Sequence, residues 1–159
     1  MTSLVAIKNS NINDIVEINE SVLKSYGSGI YVEVGEQISL ENLLYGLMLR
    51  SGNDAAIAIA DYVSGSMEKF SELMNKTASS IGMKSTTFIN SSGLENDKGI
   101  GNMSTSNDMA LLMSEALKNE TFKKIVSTKK HTVKTNYYQI MNIVQEEKQV
   151  LQKKQEELW

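Results

Sequence analysis

The sequence predicts an α+β protein that is mostly helical, with a few short strands and a helical C-terminal tail. Apolar residues recur at helical spacing along most of the 159 residues. Short β-branched runs are the only candidates for strands, and polar stretches rich in Asn, Ser and Gly separate the helices. The length favours one domain, and an apolar content of 41% is enough to build a hydrophobic core.

The first fifty residues are predicted to hold two helices and two extended pieces. The apolar cluster around Leu4 indicates a buried helix, because it has neither an N-cap nor a polar face. Residues 16–18 and 30–34 are predicted to be short extended pieces. Ser39 is a good N-cap for a helix whose apolar positions follow at helical spacing: Leu40, Leu43, Leu44, Leu47 and Met48.

The helical pattern breaks over residues 50–53 and resumes over residues 55–63, with Gly65 as its stop signal. Ser66 is predicted to cap the next helix, which ends near Gly82. The remaining elements are a short strand or extended arm at residues 86–89, a polar loop at residues 90–102, a helix from Thr105 or Ser106, a helical turn at residues 122–126 and a strand that starts at His131.

Composition and charge exclude several classes of function. A net charge of −3 argues against nucleic acid as a main partner. The chain has no cysteine, and its single His131 cannot form a metal site alone, so we expect no metal and no cofactor. No signal peptide or membrane-spanning run is visible, so we expect the chain to be cytoplasmic if it is expressed as written.

The most informative segment is the Ser51-Gly52-Asn53 turn between two apolar helices. A hydroxyl and a carboxamide held between rigid helices can serve a covalent serine enzyme. Taken alone, the tripeptide reads as a helix break in which Asn53 is the N-cap of the following helix. The flanking sequence, SLENLLYGLMLRSGNDAA, favours the functional interpretation.

This flanking sequence resembles the serine-type D-alanyl-D-alanine carboxypeptidases, the low-molecular-mass penicillin-binding proteins of peptidoglycan metabolism. Similar phrases recur up to about residue 133, among them GMKSTTF at residues 82–88, DMA at residues 108–110 and IVST at residues 125–128. The resemblance implies a partial penicillin-binding-protein/β-lactamase-like transpeptidase fold, mostly its helical region. A β-lactamase fits the motif and its setting less well.

The resemblance also implies a reaction, in which the terminal D-alanine of stem pentapeptides is removed through an acyl-enzyme. Carried over to this chain, Ser51 is the catalytic serine that relays a proton toward the leaving amine. Asn53 is the residue that binds the substrate amide. Peptidoglycan stem peptides and β-lactams are the implied partners, and the implied location is extracytoplasmic, in the cell envelope.

Two further catalytic motifs of the family are not found at the family's positions. Ser-x-x-Lys occurs three times, but about two such matches are expected by chance, and the family's own motif falls just before Met1. Lys134-Thr135 is followed by Asn136 rather than by the glycine of a Lys-Thr-Gly strand. We therefore expect a chain truncated at both ends and inactive by itself.

Composition changes after Thr135, which divides the chain into a partial carboxypeptidase domain at residues 1–135 and a non-family helical tail at residues 136–159. Codon degeneracy permits a Lys-Thr-Gly motif in a shifted frame of the tail, so a frameshift product is the favoured interpretation. A genuine helical tail is the other. The second functional hypothesis is a non-catalytic helical protein that binds stem peptides, or itself through the tail at residues 145–159. Missing central strands are also expected to leave one face of the helix at residues 4–7 and of the helix at residues 43–48 uncovered, and exposed apolar faces of this kind favour self-association.

Overall fold

The computed structural model describes residues 1–138 and 141–144. This part of the chain contains α-helices, short β-strands and a 3-10 helix at Glu20–Lys24. In chain order the other elements are α1 Thr2–Asn9, β1 Ile15–Glu17, β2 Gln37–Ser39, α2 Leu40–Arg50, α3 Asn53–Ser64, α4 Met67–Ser80, α5 Ser106–Ala116, α6 Glu120–Ser127, β3 Lys130–Val133 and β4 Met141–Val144.

Side-chain caps fix where several helices begin. The Ser39 hydroxyl accepts a hydrogen bond from the backbone amide of Asn42 at 3.2 Å, and Ser66 accepts from Lys69 at 3.3 Å. Thr105 caps α5 in the same way. Each cap satisfies an amide that the helix itself leaves without a partner. The predicted caps Ser39 and Ser66 are confirmed, and Thr105 is the cap of α5, whose first residue is Ser106.

The core is built around α2 and α3, which pack against each other. Leu43 and Leu44 of α2 and Ile59 of α3 are fully buried, and burying a side chain of this size contributes roughly 1.5–3 kcal/mol. α3 adds a series of small buried side chains, Ala55, Ala56, Ala58 and Ala60. Small residues let the neighbouring helices approach α3 closely.

The apolar faces of α1 and α2 are covered, which corrects the expectation that missing strands would expose them. α1 packs against α3, α4 and α6, while α2 packs against α3, α6 and β4. Leu4 and Val5 are at most 1% exposed. Exposed apolar side chains occur at several places in the described chain, and those on α5 and at its C-terminal end include Met109, Met113 and Leu117.

The strands form two antiparallel pairs, β1 with β2 and β3 with β4. β1 confirms the first predicted extended piece. Residues 30–34 are not a strand, because the backbone amides at the start of this segment bind the carboxylate of Asp54 rather than a neighbouring strand. Residues 86–89 contribute one β-bridge, between Thr87 and Met103.

β4 lies in the segment that the sequence predicted to be a helical tail. It pairs with β3 in the register Thr132 to Asn142, and its Ile143 is 1% exposed. Packing against α2 therefore decides the conformation of these four residues, over the helical propensity of their surroundings. The rest of the predicted tail, residues 145–159, lies outside the described residues. No described helix is long and apolar enough to cross a membrane.

Candidate active site

The turn between α2 and α3 places both predicted site residues at the junction of two buried helices. Ser51 is exposed and has a left-handed backbone, with φ 50° and ψ 40°, a conformation that is uncommon for a residue with a side chain. The Gly52 amide donates to the carbonyl of Gly46 at 3.2 Å, and the Gly52 carbonyl accepts from Ala56 at 3.0 Å. One helix therefore ends and the next begins within two residues.

Close packing favours glycine at position 52. A Cβ atom there would lie 3.1 Å from Oδ1 of Asp54, 3.2 Å from the carbonyl oxygen of Gly46 and 3.3 Å from the Cβ of Ala55. Two of these neighbours are backbone or Cβ atoms that cannot turn away. A side chain at the middle position of the Ser-Gly-Asn motif would therefore force these neighbours to shift by a few tenths of an ångström.

Asn53 is held tightly and is 8% exposed. Gly52 is the N-cap of α3, so Asn53 is the first residue of the helix and not its cap. The Asn53 backbone amide donates to the carbonyl of Ser28 at 2.9 Å, and its Nδ2 donates to the carbonyl of Tyr26 at 2.8 Å. Among the described residues nothing donates to its Oδ1, which leaves this oxygen able to accept a hydrogen bond.

Asp54 anchors the loop beside the motif, a role that the sequence analysis missed. Its carboxylate is 6% exposed and accepts hydrogen bonds from the amides of Ile30 at 3.1 Å, Tyr31 at 2.6 Å and Val32 at 3.3 Å. It also lies in the first turn of α3, where the helix dipole favours negative charge. Tyr31 is held with a positive φ of 61°. The acidic residue that directly follows the motif in the sequence was the signal that could have indicated this role.

A cavity of about 580 Å³ lies beside Asn53. Residues 24–26 form one wall and residues 94–97 belong to another, and the Tyr26 hydroxyl joins them by donating to the Glu95 carbonyl at 2.8 Å. Its volume is in the range of small-molecule sites. Asn53 lines this cavity, whereas Ser51 is not among its lining residues. No signal in the sequence indicates these walls, because they meet Asn53 only through the fold.

Two of the three Ser-x-x-Lys sequences have structural roles at helix ends. The Ser66 hydroxyl caps α4 by binding the Lys69 amide, and the Ser127 hydroxyl donates to the carbonyl of Lys124 at 3.1 Å. Asn136, where a Lys-Thr-Gly motif would need glycine, accepts from the Gln37 amide at 2.7 Å. In the described part of the chain no three acidic or histidine side chains cluster as a metal site would require.

Sequence comparison identifies the family. The family model described as D-alanyl-D-alanine carboxypeptidase matches residues 1–157. DacF of Bacillus subtilis is 37% identical over 79% of this chain and 31% of its own length, and the carboxypeptidase of Streptomyces sp. strain K15 is 36% identical over 85% and 50%. The chain belongs to the D-alanyl-D-alanine carboxypeptidase family. It spans between a third and a half of the length of these relatives.

Comparison with solved structures supports the same family. The D-alanyl-D-alanine carboxypeptidase of Mycobacterium tuberculosis superposes with a TM-score of 0.84 at 27% identity, over 91% of this chain and 54% of that one. The Streptomyces K15 DD-transpeptidase gives 0.80 at 31% identity, over 91% and 60%. The predicted partial α+β transpeptidase-like fold is therefore confirmed. The family match passes residue 135, and the domain boundary predicted there stays a prediction.

Proposed function

We propose that this chain carries the Ser-Gly-Asn part of a serine-type D-alanyl-D-alanine carboxypeptidase site, in which Ser51 relays a proton and Asn53 binds the substrate amide. The observation that carries the proposal is the hydrogen bonding of the Asn53 side chain. Its Nδ2 is committed to the Tyr26 carbonyl while its Oδ1 is left to accept, beside a cavity of ligand size. An oxygen held in this way suits the N–H of a peptide bond.

Ser51 suits proton transfer for a different reason. A hydroxyl both donates and accepts, so it can pass a proton from one group to another without a lasting charge. Its exposure leaves it accessible to a leaving amine. Its position two residues from Asn53 keeps the two groups on the same rigid turn. Stem peptides and β-lactams are the proposed ligands, and the cell envelope is the proposed location of the whole protein.

Taken alone, the 159-residue chain is proposed to form no acyl-enzyme. A relay serine and an amide-binding asparagine do not replace a nucleophile and its base, whose removal leaves only residual catalysis. The test is intact-mass spectrometry after incubation with benzylpenicillin, together with an assay for released D-alanine. We expect an unchanged mass and no D-alanine. A stoichiometric covalent adduct would show that the chain contains a working nucleophile.

A binding experiment tests the role of Asn53 without relying on turnover. N-acetyl-D-Ala-D-Ala is titrated into the isotope-labelled chain and followed by NMR. Asn53→Ala should weaken binding about tenfold, the loss of one well-placed buried hydrogen bond, and Ser51→Ala should leave it nearly unchanged. Asn75→Ala is the matched control, because Asn75 also binds backbone atoms, those of Phe88, but does not line the cavity. No binding by the unaltered chain would refute the proposal.

One observation favours a second candidate, self-association. Met109, Met113 and Leu117 are 48%, 49% and 41% exposed and are spaced four residues apart, on one face of α5 and its end. An exposed apolar stripe of this kind can pair with a second copy. Sedimentation equilibrium over a wide concentration range tests self-association. An average mass that rises with concentration, and that Met113→Lys returns to the monomer value, supports it. A constant monomer mass rejects it.

A further inference from the structure

We propose that Asp54 is a positioning residue for Asn53, and that through the loop at residues 26–32 it sets which atom of the Asn53 carboxamide faces the cavity. This inference rests on the proposed function, in which Asn53 binds the amide of the substrate. It adds to the Ser-Gly-Asn motif a residue that lies outside it. Asp54 does not line the cavity beside Asn53, so it acts on a ligand only through other residues.

The Asn53 carboxamide has two ends of nearly the same shape and opposite hydrogen-bonding character. Its Oδ1 accepts and its Nδ2 donates, and a half-turn of the amide group interchanges them. The Tyr26 carbonyl selects one of the two orientations, because it accepts from Nδ2 at 2.8 Å and has no hydrogen to offer Oδ1. The position of this carbonyl therefore decides whether Asn53 presents an acceptor to the N–H of a peptide bond.

Two neighbouring residues in the first turn of α3 hold the loop that carries this carbonyl. Asn53 donates to two loop carbonyls, from its backbone amide to Ser28 at 2.9 Å and from Nδ2 to Tyr26. Asp54 instead accepts hydrogen bonds from three consecutive loop amides, those of Ile30, Tyr31 and Val32. Hydrogen bonds to a buried carboxylate are stronger than those between neutral groups. Asp54 is therefore the stronger of the two anchors, and Asn53 depends on a loop that Asp54 places.

The loop needs an anchor because its backbone is strained at Tyr31. This residue has a positive φ of 61°, which is uncommon for a bulky side chain and persists only where the surroundings enforce it. The Tyr31 side chain is 73% exposed, so side-chain packing does not enforce that conformation. Its amide donates to Asp54 at 2.6 Å, the shortest of the three loop contacts. Without the carboxylate we expect Tyr31 to leave the left-handed region and the loop to shift.

Close packing transmits such a shift to Asn53. A Cβ atom added to Gly29 would lie 3.0 Å from Oδ2 and 3.2 Å from Cγ of Asp54. A Cβ atom added to Gly27 would lie 3.1 Å from Nδ2 of Asn53. The loop backbone therefore lies directly against both side chains. Because only Ser28 separates the two glycines, a displacement of the backbone at Asp54 reaches the backbone beside Asn53.

The first measurement follows the Asn53 side chain by NMR in the 159-residue chain without ligand. Asp54→Asn keeps the size of the side chain but replaces one acceptor oxygen by a donor, which repels the loop amides. We expect the Asn53 side-chain amide protons to exchange with water about tenfold faster in this variant, because the Tyr26 carbonyl no longer holds them. Asp61→Asn is the matched control on α3. Asp61 accepts an exposed hydrogen bond from Asn19 at 2.7 Å, and this variant should leave the exchange rate unchanged.

The second measurement places Asp54→Asn and Asn53→Ala in a double-mutant cycle for the binding of N-acetyl-D-Ala-D-Ala. If Asp54 acts through Asn53, each single variant should weaken binding about tenfold. The double variant should then bind no more weakly than Asn53→Ala alone. A residue that only stabilises the fold gives a different result: while the chain stays folded, its loss leaves the affinity unchanged or adds to the effect of Asn53→Ala. Backbone amide spectra show that each variant is folded.

Gly29→Ala is a second variant, which keeps the charge of Asp54 and shifts its carboxylate by a few tenths of an ångström. It should raise the exchange rate and weaken binding by about two- to threefold, since small misplacements of a binding group lower its contribution. Unchanged exchange of the Asn53 side chain in both variants would overturn the inference, and so would additive losses in the cycle; the role of Asn53 would then stand without Asp54. If the unaltered chain does not bind the peptide, the proposed function falls, and the exchange rates alone decide whether Asp54 positions Asn53.

Discussion

The Ser51–Asn53 turn and the polar loop at residues 90–102 border the same cavity region but are built by opposite means. The turn is fixed by burial: the Asp54 carboxylate accepts hydrogen bonds from three loop amides, and Gly52 is closely packed. The loop is fixed by side-chain amides at the surface, those of Asn90, Asn96 and Asn102. Buried hydrogen bonds to a charged group are stronger than exposed neutral ones.

The buried turn and the exposed loop suit different tasks. A group that must meet a reacting bond at a fixed distance belongs on the stiff turn, because small misplacements there lower the rate severely. An exposed loop, by contrast, tolerates substitution at little cost in stability. If the two regions differ in this way, substitutions at the turn should lower the free energy of unfolding more than substitutions in the loop.

Asp54→Ala should give the largest effect, a fall of about 3 kcal/mol in the free energy of unfolding, because it leaves three partly or fully buried amides without their acceptor. Urea denaturation measures it. Asp61→Ala is the control: Asp61 accepts an exposed hydrogen bond from Asn19, and its loss should cost less than about 1 kcal/mol. Equal losses at the two positions would contradict the view that the turn is held from within.

Gly46→Ala should destabilise by about 1–2 kcal/mol, although alanine is the better helix former. The added Cβ would lie 2.6 Å from Cδ1 of Ile30, which belongs to the loop that Asp54 anchors. Ile30→Val removes that atom and should recover part of the loss. A double-mutant cycle gives the coupling between the two sites, and purely additive effects would mean that α2 and the loop are not in tight contact.

Asn102→Ala should cost about 1 kcal/mol or less and act locally. Its Oδ1 accepts from the amides of Ile89 at 2.7 Å and Asn90 at 3.2 Å. Those two amides should exchange hydrogen faster in the variant, while the amides of α3 keep their rates. Faster exchange in α3 as well would show that the loop and the helical core open together rather than separately.

Acidification below about pH 4 should loosen the arm at residues 85–104 before the helices. The Thr86 hydroxyl, at 2.7 Å, and then the Ser85 amide, at 2.8 Å, hold the pKa of Asp108 below its ordinary value. A lowered pKa contributes stability above the unfolded value of about 4, and this is lost as pH falls through the lower folded value. The loosening of the arm is followed by NMR of the Thr87 amide as pH falls. Asp108→Asn should remove this pH dependence, and an unchanged acid response in that variant would exclude Asp108 as its source.

Local signals in the sequence predicted much of the fold. The caps Ser39 and Ser66, the stop at Gly65 and the helical apolar spacing all act within a few residues, so the chain displays them directly. The Ser51-Gly52-Asn53 motif was visible for the same reason. β4 was missed because its conformation depends on packing against α2, far away in the chain.

The missed parts of the candidate site share that long-range origin. Asp54 binds amides more than twenty residues earlier, and nothing near it in sequence indicates those partners. The cavity wall at Glu95 meets Tyr26 across 69 residues, through the hydrogen bond from the Tyr26 hydroxyl to the Glu95 carbonyl. Spacing alone cannot predict such contacts, because they form only after the helices have packed. The motif itself was therefore predictable, and the surroundings that position it were not.

Native-state hydrogen exchange at the motif tests most directly whether the turn is preformed in this chain. The Asn53 amide is bonded to the Ser28 carbonyl and the Tyr31 amide to Asp54. We expect both to be protected to within about tenfold of the core amide of Ile59. If they exchange as fast as exposed amides of the polar loop, the turn is not held in place, and the assignment of Ser51 and Asn53 to a preorganised site is contradicted.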